Sequence, residues 1–212
     1  MTDISDPQMG ELISPKHAWA SEFGDAYNAR NAVTDEKVRK RVWFWSEMLK
    51  HAHGINSVLE VGANTGINIH ALRELLHSTT RFEATEPNAQ ARVELAKLNL
   101  CAMHDDIQSM KTFWKFDLVF TCGVLIHVPP DDLHSLCQKM YDNSQSQILC
   151  AEYFSDQPTE IEYRGKMGML WKRDFGKYWI DNFNVDVIDY GFSWREAGGM
   201  DNITWWLMEK RR

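Results

Sequence analysis

Gly62, Asn64 and Gly66 stand in a short turn, Glu60-Val-Gly62-Ala-Asn64-Thr-Gly66, that follows an apolar run and precedes an amphipathic segment. Glycine at the end of a strand lets the backbone approach a ligand with no Cβ in the way. A second glycine lets the following helix pack close to the sheet, and asparagine tolerates left-handed backbone between them. Glu86 follows twenty residues after Gly66, the spacing at which an acid at a strand tip hydrogen-bonds the ribose hydroxyls of a nucleotide-type cofactor. Asp106 is placed to accept from an adenine amino group, Ile107 to pack on its ring, and Cys122-Gly123 to line the far end of the ligand. A lone G-x-N-x-G is a weak signal; its strand-turn-helix context and Glu86 give it content.

A second set of residues could act on what that turn holds. Trp19, Phe23 and Tyr27 recur at helical spacing and share one face. An aromatic face within about 6 Å of a cation stabilises it. Asn28, Arg30 and Asn31 flank the stripe, and Arg30 could fork onto a carboxylate. Tyr153, Tyr163 and Arg164 fall beyond the fifth expected strand, on the ligand side of a parallel sheet. His127 follows the fourth, where a general base could act. Each has a plainer account. An aromatic stripe most often packs a helix on a core, Arg30 suits a surface ion pair, the tyrosines can anchor a loop, and His127 lies between apolar Ile126 and Val128. No Ser-His-Asp arrangement is visible.

These residues need elements to position them, and the hydrophobic periodicity supplies them. Residues 1–14 read as a loose tail. Residues 16–31 read as a helix that Gly24 weakens and breaks into two pieces, and 35–53 as a stronger helix ended by His53-Gly54. Strands are expected over 57–61, 82–86, 100–103, 116–121 and 147–151, alternating with helices over 68–77, 89–98 and from Pro129-Pro130 to about 142. A polar loop precedes a helix over 172–182, and strands over 185–190 and 203–209 close the chain through a turn at Glu196-Ala197-Gly198-Gly199. The expected fold is therefore α/β: a Rossmann-like, seven-stranded, mostly parallel sheet with an antiparallel C-terminal hairpin and helices on both faces. One domain spans 1–212, with a helical lid over 15–53 and a catalytic core over 55–212.

The chain has 212 residues, enough for one full core. With 23 Lys and Arg against 30 Asp and Glu, its net charge is −7, and no basic stripe points to nucleic acid. Apolar runs are strand-length, so no membrane partner is expected, and the polar start of the chain suggests the cytoplasm. The four scattered cysteines read as free thiols, and neither they nor the eight histidines have metal-ligand spacing. The expected partner is a small-molecule substrate, with the protein a monomer or a homodimer.

The sixth position of a G-x-G-x-x-G fingerprint is Ile67 here, which puts NAD behind S-adenosylmethionine as the cofactor. The glycine turn, Glu86, Asp106 and the segment Phe116-Asp-Leu-Val-Phe-Thr-Cys-Gly-Val-Leu-Ile-His127 resemble class I S-adenosylmethionine-dependent methyltransferases. Trp19 to Asn31, Ala151-Glu152-Tyr153, Glu162-Tyr163-Arg164-Gly165, Lys172-Arg173-Asp174-Phe175 and Asp201-Asn-Ile-Thr-Trp205 resemble two branches of that family. One contains methylases associated with pseudaminic acid biosynthesis, the other enzymes that cyclise S-adenosylmethionine to azetidine-2-carboxylate. The resemblance implies a natural-product enzyme that uses S-adenosylmethionine and no metal.

A sulfonium has three electrophilic carbons, and geometry selects among them. An aromatic lid over a small pocket, with no inserted cap domain, inclines this reading to cyclisation with release of methylthioadenosine. Methyl transfer to a small polar metabolite or sugar is the alternative, and a non-catalytic cofactor-binding module the third. In the cyclising or transferring enzyme, Trp19, Tyr27, Asn31, Tyr153 and Tyr163 are the candidate catalytic residues. Arg30, Gly62, Asn64, Gly66, Glu86, Asp106, Ile107 and Cys122 are the candidate cofactor-binding residues.

Overall fold

The computed structural model describes residues 14–197 and 201–211. The expected tail lies almost wholly outside them, as do Gly198 and Gly199 of the expected turn. The N-terminal segment forms α1 (Pro15–Trp19) and α2 (Glu22–Arg30). The break falls at Ala20-Ser21, not at Gly24, which is buried inside α2. Helix α3 (Asp35–Met48) is capped by the Thr34 hydroxyl, which accepts from the Lys37 amide at 3.3 Å. It ends at Met48, earlier than expected, in a turn that leads to Gly54.

The chain then alternates: β1 (Ser57–Val61), α4 (Ile67–Leu75), β2 (Arg81–Thr85), α5 (Ala89–Ala96), β3 (Ala102–His104), β4 (Phe116–Cys122), α6 (Pro130–Asn143) and β5 (Ser144–Glu152). Proline opens α6, where its missing N–H costs nothing. The segment read as a polar loop contains a two-stranded ribbon, β6 (Thr159–Glu160) against β7 (Trp171–Lys172). The next helix, α7 (Phe175–Asn182), starts three residues later than expected, capped by Asp174. Strands β8 (Val185–Ser193) and β9 (Ile203–Lys210) finish the chain.

The main sheet has the order β3-β2-β1-β4-β5-β9-β8. The first five strands are parallel, and β9 pairs antiparallel with both β5 and β8. This is the expected architecture. Every residue of β1 is buried, as a central strand covered on both faces requires. On one face Phe44, Trp45 and Met48 of α3 pack with Ile69 and Leu72 of α4 and Leu95 of α5. On the other lie Leu133, Cys137 and Met140 of α6 with Phe175 and Trp179 of α7. Trp205 and Trp206 of β9 go one to each side, so alternation along a strand accounts for both.

Strand order reverses between β1 and β4, so the carboxyl ends of these strands flank the crevice where open α/β sheets bind ligands. The Gly62–Gly66 turn leaves β1 at that point.

Candidate active site

Asn64 has φ +50° and Gly66, the N-cap of α4, has φ +85°. Both lie in the left-handed region, as expected of the pair. A Cβ on Gly66 would stand 2.4 Å from a Leu98 methyl, so this glycine seats the turn against the end of α5. The Gly62 amide donates to the Thr85 carbonyl at 2.9 Å, tying the turn to β2.

Glu86, at the tip of β2, is 6 % exposed. Its carboxylate accepts the Asn64 amide at 2.7 Å and the Asn88 amide at 2.8 Å. Burial raises its pKa, and those two N–H groups pull the other way. The acid is therefore fixed beside the glycine turn, as its spacing from Gly66 implied. Asp106, after β3, is ion-paired with Lys16 of α1 and accepts the Gln108 amide at 3.1 Å. Its carboxylate is thus already shared with the lid. Ile107 is 1 % exposed and closed into the core with Val61 and Leu125. It has no face open to a ring, so the expected stacking role gives way to packing.

The other end of the crevice is organised by Arg41 of α3, which the sequence reading passed over. Its guanidinium donates to Cys122 Sγ at 3.2 Å, and its buried Nε has no partner among the described residues. Beside it, Glu60 of β1 is fully buried. One of its oxygens accepts from Asn68 at 2.6 Å and the other has no partner among the described residues. Burial pushes Glu60 up to about 8, with Asn68 and Arg41 acting against it. Burial likewise pushes the Cys122 thiol up to about 11, so it is protonated near neutral pH. Arg30, the expected carboxylate fork, is exposed at the last turn of α2 and has no side-chain partner among the described residues. Arg41, on α3 one turn before Trp45, is the arginine that reaches the end of β4 at Cys122.

Asn31 sits at the C-terminal end of α2. Its side chain donates to the Tyr27 carbonyl at 3.0 Å, which spends it on the C-terminal cap of α2.

The aromatic stripe does meet the ligand side of the sheet. Trp19 packs edge-on against Phe23 at 5.1 Å and Tyr27 at 5.2 Å between ring centroids, and lies 4.7 Å from His127. Tyr163 joins them, 5.1 Å from His127 and 6.1 Å from Phe23. It opens a two-residue turn, Arg164-Gly165, whose φ angles of +53° and +75° match a type I′ hairpin. Burial raises the Tyr27 pKa, with Tyr163 second.

His127 ends the 3₁₀ turn Leu125–His127. Glu152, buried at the end of β5, holds this turn by accepting the Val124 and Ile126 amides at 3.2 and 3.3 Å. His127 Nδ1 lies 2.6 Å from the Met169 carbonyl. A carbonyl only accepts, so Nδ1 carries the proton and Nε2 keeps its lone pair. Burial lowers this histidine to about 4, so it is neutral near neutral pH.

An amide network fastens the lid to the cofactor side. Asn64 donates its side-chain amide to Asn28 of α2, and Asn28 donates to Asn88 Oδ1 at 2.9 Å. Asn88 donates in turn to the Trp19 carbonyl at 3.2 Å and to Asp25 at 2.8 Å, and it caps α5 by accepting the Ala91 amide at 2.8 Å. Gly24 makes this docking possible: a Cβ there would stand 1.9 Å from the Trp19 carbonyl oxygen. Asn88 went unread in the sequence, although an Asn just before a helix is the usual mark of an N-cap.

Tyr153, just past β5, donates its hydroxyl to Asp201, which also pairs with Arg195. Burial and then Asp201 raise the Tyr153 pKa. These residues border a cleft of about 600 Å³, together with Phe154, Lys172 and Phe192. The structure thus gathers Trp19, Tyr27 and Tyr163 with His127, and sets Tyr153 on the wall of a cleft.

No protein-family profile and no curated protein matches the chain. Solved structures do. A 1,6-didemethyltoxoflavin-N1-methyltransferase from Burkholderia thailandensis, bound to 1,6-didemethyltoxoflavin and S-adenosylhomocysteine, superposes with a TM-score of 0.71 at 14% identity, over 97% of this chain and 94% of its own. A magnesium protoporphyrin IX methyltransferase from Synechocystis PCC 6803 gives 0.68 at 12% identity, over 92% and 98%. An S-adenosylmethionine-dependent methyltransferase from Clostridium acetobutylicum gives 0.60 at 11% identity, over 90% and 98%. The chain has the fold of these enzymes.

Proposed function

We propose that this chain is an S-adenosylmethionine-dependent methyltransferase acting on a small molecule. The observation that carries this reading is Glu86, buried at the tip of β2 and fixed on the Asn64 and Asn88 amides beside the Gly62–Gly66 turn. The Tyr153 cleft, about 600 Å³, offers room for an acceptor. The fold that the chain shares with methyltransferases supports it.

The residues present suit the cofactor. Glu86 offers a fixed acceptor to the ribose. The unpartnered Arg41 Nε and Glu60 oxygen are a donor and an acceptor at the opposite end, where the cofactor's carboxylate and amino group call for them. Bound there, the cofactor supplies an electrophilic methyl on a sulfonium. The faces of Trp19 and Tyr27 lend negative potential to such a cation and exclude water from it. The lone pair on His127 Nε2 is the group in this aromatic cluster that can take a proton from an acceptor.

Cyclisation to azetidine-2-carboxylate is the second reading, favoured by how closely Trp19, Tyr27, His127 and Tyr163 group together. It needs no acceptor, so the Tyr153 cleft has no part in it. The solved structures with this fold back methyl transfer instead. One experiment separates the readings: incubation with S-adenosylmethionine, alone and with a panel of small acceptors, followed by chromatography. S-adenosylhomocysteine appearing only with an acceptor establishes transfer. Methylthioadenosine without one establishes cyclisation. Tight binding with neither product leaves a cofactor-binding module.

A further inference from the structure

The β6–β7 ribbon and its turn bring three cations to the edge of the site, and each rests on an aromatic ring. Arg164 lies 5.5 Å from the Tyr163 centroid, Lys166 5.6 Å from that of Phe23, and Lys172 5.5 Å from that of Tyr153. Among the described residues none of the three is ion-paired, although the chain carries a net charge of −7. Most of the nearby acids hold other partners. Asp201 holds Arg195 and Tyr153, Glu152 is buried on two backbone amides, Glu160 accepts the Gly168 amide, and Asp174 caps α7. Glu162 stands exposed on the ribbon. Phe154 and Phe192 line the same cleft as Lys172 and are 48 % and 60 % exposed, which is open apolar surface beside a lysine with no ion pair among the described residues.

We propose that the acceptor is an organic anion with a flat apolar body, its charge drawn by Lys172 and the neighbouring ribbon cations and its body laid against Phe154 and Phe192. This rests on the reading of the cleft as the acceptor site of a methyltransferase. Carboxylate and phosphate share the required chemistry: a compact negative charge that accepts N–H donors. Aromatic rings under the cations keep them placed without neutralising them, so the cleft is left positive in a protein that otherwise repels anions.

The test is titration of the intact protein with three matched probes, benzoate, phenyl phosphate and neutral benzamide, followed by tryptophan fluorescence. It is run with and without saturating S-adenosylhomocysteine, whose own binding is measured separately by calorimetry. The expected result is binding of at least one anion about tenfold tighter than benzamide, weakening as salt rises. Lys172→Gln abolishes that preference while the melting temperature and the affinity for S-adenosylhomocysteine stay unchanged. Arg164→Gln, on the exposed hairpin turn, reduces it. Benzoate ahead of phenyl phosphate assigns a carboxylate, and the reverse assigns a phosphate. Benzamide binding as tightly as both anions overturns the proposal, and so does a preference that survives in Lys172→Gln. Failure of S-adenosylhomocysteine to bind would sink the cofactor reading, and the titration without it would still report on the cleft.

Discussion

The carboxylate of Glu86 accepts the backbone N–H of Asn64 at 2.7 Å, across the gap between the tip of β2 and the glycine turn after β1. A second amide, from Asn88, meets its other oxygen. The acid is held by groups that any substitution elsewhere leaves in place, so its orientation is built into the backbone. Glu86→Gln keeps the shape and removes the charge. The expected outcome is a roughly tenfold to hundredfold loss of affinity for S-adenosylhomocysteine, because hydrogen bonds to a charged group contribute about 1.5–3 kcal/mol. Calorimetry checks it, and a dissociation constant within twofold of the parent would remove Glu86 from the site.

Arg41 and Arg30 make opposite predictions. Arg41 is packed against Cys122 with a free Nε, while Arg30 faces solvent. Arg41→Met should weaken binding of S-adenosylhomocysteine by at least about tenfold, and Arg30→Ala should leave it nearly unchanged. The reverse pattern would restore Arg30 as the carboxylate fork.

Gly24→Ala tests the lid. The new methyl would collide with the Trp19 carbonyl and crowd the Asn88 amide. Overpacking of this kind costs about 1–3 kcal/mol, and the lid can escape it by lifting. Turnover should fall much further than the free energy of unfolding in urea. Equal activity in Gly24→Ala would show that the docked lid is not needed.

Two buried acids set a pH dependence. Glu60 is raised to about 8 and Glu152 to about 7, against an ordinary value of 4.5 in the unfolded chain. A group with a raised folded pKa contributes stability that is complete below its unfolded value and is lost as pH rises through its folded one. His127 has the opposite sense: lowered to about 4, it costs stability as pH falls below its ordinary 6.5. Between pH 6.5 and about 8 these two acids act, with Glu86 raised in the same sense, so stability should decline there, by up to about 1.4 kcal/mol per pH unit for each proton difference. Glu60→Gln retains the acceptor for Asn68 and should flatten the decline. Urea unfolding at both ends of that window decides it, and an unchanged slope would remove Glu60 as a source.

The sheet and its order of elements were legible because buried parallel strands read as continuous apolar runs, and Phe116 to Cys122 is one. The glycine turn and Glu86 were legible because their spacing is fixed by local geometry. Trp19, Tyr27 and Tyr163 were read as ligand-side residues, and the structure brings them together. Arg41 was not legible, because an arginine on a helix shows its burial only once the helix is docked. Asn31 and Ile107 show a related ambiguity: a cap and a core contact leave the same residue type in the sequence as a ligand contact would. The β6–β7 ribbon was missed because two-residue strands have no periodicity to read.

Asn88 carries a burden that only the assembled structure reveals. Its side chain serves the start of α5, the end of α1 and the Asp25 and Asn28 side chains of α2, while its amide serves Glu86. No other residue type can do all of this. Aspartate would keep the cap but set a third negative group between Asp25 and Glu86, and serine would reach one partner and drop the rest. The position therefore has almost no mutational freedom, even though it touches neither the sulfonium nor the acceptor in the proposed reaction.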